Sequence, residues 1–235
     1  MLKQKLLAVA LMAAVSTSAL AFSLDSVTKV AAGGAAACTF AGSTATKEGL
    51  AKEQKKMQAD TKKVSQQILG AQTQLAEALN LKQVAANVQA QLNTVKKGNI
   101  NGDKLDKVKS TSKDADKAIQ AELKKIDTLS AEQKKKVSAS LDKYGSAALG
   151  TAKIAGKTAL AGAATACMLR ADPTKAASLS SQLDYIVDSA KTLPGFSKDL
   201  IKTGFSYIKL AKKYDIDVKG LEKNLNAAKN FKAEK

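Results

Sequence analysis

A long stretch without helix breakers most constrains how this chain can fold. Between residues 50 and 97 the only glycine is Gly70, and proline is absent. The pattern predicts one amphipathic helix of about fifty residues, about 75 Å long at 1.5 Å per residue. Its apolar residues recur at steps of three and four, which is the period of one helix face: Val64, Ile68, Ala71, Leu75, Ala78, Leu79, Ala85, Val88, Leu92 and Val95.

The rest of the chain is also predicted to be helical. Good helix formers dominate, and no segment alternates with the period of two that is typical of a strand. The two prolines, Pro173 and Pro194, fall where helices would begin or break. Because short turns join successive helices, we predict an all-α, elongated antiparallel helical bundle. Turn and capping signals, including a Ser130–Gln133 capping box, place the further helices at 103–129, 131–169, 173–192, 197–214 and 217–231.

The N-terminus has the layout of a secretory signal peptide. Two lysines precede an uncharged apolar run of about ten residues, half of what spans a bilayer, and small residues ending in Ala-x-Ala follow it. This layout predicts cleavage between Ala21 and Phe22 and export to the periplasm or the extracellular space. The predicted segments are a signal peptide at 1–21, an Ala/Gly-rich segment at 22–42 and a helical bundle domain at 43–235.

The two cysteines, Cys38 and Cys167, are predicted to form a disulfide. An even cysteine count in an exported protein favours pairing, because the compartment is oxidising. Such a bridge would close a loop of about 130 residues, nominally worth about 4–5 kcal/mol in the chain-entropy model. Lipidation of Cys38 is the weaker hypothesis, because the apolar run ends far upstream and Ala35 stands where leucine is usual.

Lysine dominates the charged residues. The formal net charge is +17, from 38 basic and 21 acidic residues, and Arg170 is the only arginine. Arginine forks and aromatic stacking platforms are the usual tools of nucleic-acid recognition, and both are scarce here. We therefore expect no nucleic-acid partner, and instead a protein or an anionic envelope surface. The plainer alternative is that the lysines only solvate exposed helix faces.

Residue types that carry common chemistry are missing or isolated. The chain has no histidine, which excludes Ser-His-Asp and Cys-His catalysis and the common zinc sites. Close acidic pairs, Asp114 with Asp116 and Asp184 with Asp188, have lysines nearby and fit ordinary surface pairing. The sequence thus predicts no enzyme, no catalytic residue, no metal and no cofactor.

The stretch at 145–168 is rich in alanine and glycine, with Lys153 and Lys157 as its only charges. Small residues let helix backbones approach closely, which favours either a buried central helix or a helix that associates in lipid. The twelve uncharged residues before Arg170 are too few to span a bilayer. Under the second hypothesis, contact with a membrane or a second copy involves Gly150, Lys153, Gly156, Lys157 and Gly162.

These features predict an exported, non-enzymatic helical protein. We expect it to act as a binding or assembly module in the cell envelope or outside the cell. The alternative is a membrane-active protein, pore-forming or lipid-binding, that uses the small-residue stretch at 145–168, alone or as a homo-oligomer. Anionic liposomes separate the two hypotheses, because only the second predicts leakage of a trapped dye.

Overall fold

The computed structural model describes residues 38–40, 43–171 and 183–231. Over these residues the fold is all-α, as predicted: six helices pack around one core, beside a single pair of two-residue strands. The predicted signal peptide and its cleavage site between Ala21 and Phe22 lie outside the described residues. The elements are β1 (Thr39–Phe40), β2 (Ser43–Thr44), α1 (Lys47–Ala78), α2 (Lys82–Lys96), α3 (Gly102–Lys125), α4 (Ala131–Ala171), α5 (Asp184–Lys212) and α6 (Lys219–Asn230).

The prediction of one helix of about fifty residues is wrong, because the segment forms two separate helices, α1 and α2. Asn80 adopts the left-handed conformation, with φ 59°. The Asn80 amide donates to the Glu77 carbonyl, and the Leu81 amide donates to the Ala76 carbonyl. This is the hydrogen-bond pattern of a Schellman motif, in which asparagine is the usual substitute for glycine at the left-handed position. The break therefore comes from an asparagine, while α1 runs straight through Gly70.

The opposite difference occurs at Pro194, where two predicted helices form the single helix α5. An interior proline costs about 3 kcal/mol, because it lacks the amide that bonds to the preceding turn. Apolar side chains are buried on both sides of it, among them Leu193, Phe196 and Leu200. Each such side chain gains about 1.5–3 kcal/mol on burial, which outweighs the missing hydrogen bond and keeps α5 continuous.

The longest helix, α4, lies in contact with α1, α5 and α6. Its direction is opposite to that of α1, since Gln133 contacts Ala78 near one end and Thr158 contacts Met57 near the other. The predicted capping box is confirmed at the start of α4. The Gln133 amide donates to Ser130 Oγ at 3.2 Å, and the Ser130 amide donates to Gln133 Oε1 at 3.0 Å.

The helix contacts are compatible with the predicted antiparallel bundle, in which alternate helices run parallel to each other. Helices α3 and α5 run parallel: Thr192 Oγ1 donates to Asp106 at 3.0 Å, and further along both helices the Tyr207 hydroxyl donates to Asp116 at 2.7 Å. In a series of helices in which each runs antiparallel to the next, every second helix points in the same direction. This parallel pair forms the groove described below.

The two cysteines are joined as predicted, with the Cα atoms of Cys38 and Cys167 5.7 Å apart. The bridge holds β1 against the end of α4, and the Ala45 amide closes the strand pair by donating to the Cys38 carbonyl at 2.6 Å. Thr46 then caps α1 by accepting from the Gly49 amide at 3.0 Å. Among the described residues, no helix is both long enough and apolar enough to cross a membrane.

Candidate functional site

The carboxyl group of Asp116 on α3 is buried where four helices meet. Its Oδ1 accepts from Gln72 Nε2 at 2.8 Å and from the Tyr207 hydroxyl at 2.7 Å. Its Oδ2 accepts from the Tyr144 hydroxyl at 2.9 Å. The three donors come from α1, α5 and α4, so a single carboxyl group fixes the mutual position of four helices.

The donors are themselves held by packing and by further hydrogen bonds. The rings of Tyr144 and Tyr207 pack edge to face, with centroids 5.3 Å apart and planes at 84°, an arrangement that aromatic pairs prefer. Gln72 Nε2 also donates to the carbonyl of Ser112 at 3.0 Å and to its hydroxyl at 2.8 Å. Asp116 therefore receives neutral hydrogen-bond donors only, in a pre-arranged set.

Burial controls the ionisation of this cluster. It raises the pKa of Asp116 from 3.8 to about 6, although the hydrogen bonds from Gln72, Tyr207 and Tyr144 act in the lowering direction. Burial, followed by the nearby Asp116 charge, raises the pKa of Tyr144 and of Tyr207 well above 10. Both phenols thus stay protonated and remain donors, while Asp116 changes charge near neutral pH.

This shift predicts a dependence of stability on pH. Because the folded state holds the Asp116 proton more tightly than the unfolded state does, the stabilisation from this group is complete below about pH 4 and is lost as pH rises through about 6. The change amounts to about 3 kcal/mol. We expect urea unfolding from pH 4 to pH 7 to show this decline in the wild type relative to Asp116→Asn, which has no proton to lose. Parallel pH profiles for the two proteins would contradict the raised pKa of Asp116.

An open groove of about 230 Å³ lies above Asp116, between α3 and α5. Three of its lysines, Lys109, Lys113 and Lys117, follow one another at steps of four along α3, and Lys202 faces them from α5. We call this surface the lysine groove. Its full lining is Lys109, Ser112, Lys113, Asp116, Lys117, Gln120, Phe196, Asp199, Leu200, Lys202, Thr203 and Ser206.

The lysine groove has an excess of positive charge. It contains four lysines against two carboxyl groups, Asp116 on the floor and Asp199 at the rim. Within the part of the chain that the structure describes, none of these lysines lies within ion-pair distance of an acid, whereas Lys136, Lys191 and Lys212 are paired elsewhere. A concave surface with an excess of charge of one sign raises the local concentration of the opposite ion. The groove is therefore suited to an anionic ligand.

The glycines assigned to membrane or oligomer contact face the interior of the bundle. A Cβ atom on Gly150 would lie 2.7 Å from Val64 of α1, and one on Gly162 would lie 3.1 Å from Ala190 of α5. Gly156 is buried. Two of these glycines thus allow close approach of the neighbouring helices.

The two lysines assigned with those glycines behave differently. Lys153 and Lys157 lie exposed on α4, outside the lysine groove. Their spacing of four matches that of Lys113 and Lys117, which are also exposed. The two pairs therefore differ in their surroundings rather than in their own accessibility or charge.

The interpretation of Asp116 as a surface-paired acid is wrong. Its buried neighbours Ser112, Ala115, Ile119 and Leu123 lie at helical spacing, so Asp116 falls on the apolar side of α3. This spacing, which is visible in the sequence, could have indicated that Asp116 is buried. The prediction of surface pairing is confirmed for Asp188, which forms an exposed ion pair with Lys191 at 3.6 Å.

Nothing in the described ranges forms a group of three or more Cys, Asp or Glu residues placed to hold a metal ion. The carboxyl group in the lysine groove has donors already on both oxygens. The site can hold an anion by charge and hydrogen bonding. The chain matches no family model, and no curated protein or solved structure matches it.

Proposed function

We propose that this protein is exported and acts without catalysis, by binding an anionic partner in the cell envelope or outside the cell. One observation carries the proposal: the lysine groove gathers around one concavity four lysines that form no ion pair with an acid among the described residues. The plainer hypothesis, lysines that only solvate helix faces, does not account for their convergence from α3 and α5 on a shared groove.

Export and the absence of catalysis have separate support. The N-terminal sequence has the signal-peptide layout, and the Cys38–Cys167 bridge is compatible with an oxidising compartment. Histidine is absent from the sequence, and Asp116 is occupied in joining helices. The partner is then held by electrostatic contacts, which weaken as salt is added.

The test uses the mature, disulfide-bonded protein and isolated cell envelopes. We expect saturable co-sedimentation that weakens steeply as the salt concentration rises. The absence of binding, or binding that salt leaves unchanged, would contradict the proposal. The same protein added to anionic vesicles should release no trapped dye, and leakage would favour the membrane-active alternative, in which the α4 glycines must leave their partners on α1 and α5.

A further inference from the structure

The lysine groove is shaped to hold a single chain. Its lining extends from Lys109 to Gln120 along α3 and from Phe196 to Ser206 along the parallel helix α5. The α3 side therefore has a length of about 16 Å at 1.5 Å per residue. A flat bilayer would touch only the rim of a concave surface between two helices, whereas an extended chain can lie along its floor.

The charges are arranged in a row. Lys109, Lys113 and Lys117 occupy successive turns of α3, so their Cα atoms are about 6 Å apart along the helix axis. Such a row suits a polymer whose anionic groups repeat along its length. It suits a single compact anion less well, because one small ion cannot reach all three lysines.

The groove has hydrogen-bonding side chains between its charges, while its two apolar side chains are buried. Phe196 is 3% exposed and Leu200 is 1% exposed, so neither presents an apolar side chain to a ligand. An acidic amphipathic helix needs an apolar seam to dock, and nucleic-acid bases need an accessible aromatic face. The lining instead has the half-buried amide of Gln120 and the half-buried hydroxyls of Thr203 and Ser206. Amides and hydroxyls are suitable hydrogen-bonding partners for sugar hydroxyl groups.

We infer that the lysine groove binds one chain of an acidic polysaccharide, with its anionic groups at Lys109, Lys113, Lys117 and Lys202 and its hydroxyl groups at the polar side chains between them. This inference rests on the proposed binding function and specifies the class of partner. Asp199 at the rim and Asp116 on the floor repel a uniformly dense polyanion, which favours a chain whose charges are separated by neutral groups.

The principal test compares two double variants that lose the same charge. Lys113→Gln with Lys117→Gln removes two lysines from the groove, and Lys153→Gln with Lys157→Gln removes an equally spaced, equally exposed pair from α4. Binding of a fluorescent oligouronate is measured by anisotropy, with an uncharged glucan of equal length as the ligand control. We expect the groove variant to bind about tenfold more weakly, because it loses two charge contacts with the ligand, and the α4 variant to change less than about twofold.

A second variant separates sugar recognition from charge alone. Gln120→Ala is expected to weaken oligouronate binding by about threefold to tenfold and to leave binding of inorganic polyphosphate unchanged, because it removes a neutral hydrogen bond. Thermal unfolding verifies that each variant is folded.

Several outcomes would overturn the assignment of an acidic polysaccharide. They are equal losses in the two double variants, equal binding of the neutral glucan, an equal effect of Gln120→Ala on polyphosphate, or a preference for anionic vesicles over oligouronate. If binding to cell envelopes persists despite any of these outcomes, the proposed function still holds. Loss of both kinds of binding would end both proposals.

Discussion

Replacing Asp116 with alanine is expected to lower the free energy of unfolding at pH 5 by about 3–5 kcal/mol. The change leaves the Tyr207 hydroxyl without its Asp116 acceptor. It also removes the 2.9 Å hydrogen bond of Tyr144, whose hydroxyl keeps a 3.5 Å contact to the Leu200 carbonyl and the Thr203 side chain nearby. It also opens a gap where four helices meet. Urea unfolding followed by circular dichroism measures the loss, which should shrink at pH 7, because alanine also removes the penalty for burying a charge.

Asparagine at position 116 provides the matched control. Its amide oxygen can accept from Gln72 and Tyr207, and its amide nitrogen can donate to the Tyr144 oxygen after that hydroxyl rotates. We expect a loss of about 1 kcal/mol, the value of a typical hydrogen bond. A loss as large as that for alanine would show that an amide cannot replace the carboxyl group in this network. A negligible loss for alanine would show that the cluster does not hold the helices together.

Removing the disulfide with Cys38→Ser and Cys167→Ser together is expected to lower the free energy of unfolding by about 4 kcal/mol. The bridged residues are 129 positions apart, so the bond greatly restricts the unfolded chain. Chemical denaturation should show a lower midpoint for the double variant. The wild type in a reducing buffer should match it, because both then lack the same crosslink.

Two controls sharpen this prediction. The double variant should not be destabilised further by reductant. Asp116→Asn should respond to reductant as the wild type does, because Asp116 contacts Tyr144, which lies about 35 Å along α4 from Cys167. Equal midpoints for the oxidised wild type and the double variant would mean that the bridge contributes nothing to stability.

Sequence patterns correctly predicted those helix features that depend only on residues close together in the chain. The capping box at Ser130 and Gln133 needs only residues three apart, and it appears as predicted. The helix boundaries predicted around Pro194 and Asn80 were wrong, for different physical reasons. Pro194 stays inside a helix because the apolar residues on either side of it are buried, whereas the break at Asn80 needs only an asparagine that tolerates the left-handed conformation.

The candidate site was less predictable, because its parts come from distant positions. Asp116 receives hydrogen bonds from Gln72, 44 residues before it, and from Tyr207, 91 residues after it. The stripe on α3 could have indicated that Asp116 faces inward, but not which groups meet it there. Likewise, the row of lysines on α3 is visible in the sequence, whereas its pairing with Lys202 requires the parallel packing of α3 and α5.

The attachment of α4 at both ends has a consequence for local unfolding. At its start, Gln133 Nε2 donates to the Ala78 carbonyl at 3.0 Å, so one side chain joins the first turn of α4 to the last turn of α1. Near its other end, Cys167 is bonded to Cys38, which directly precedes β1. Helices normally fray from free ends. Amide hydrogens in the middle of α4 should thus exchange with solvent only when the whole domain opens, which makes this helix the slowest-exchanging unit of the fold.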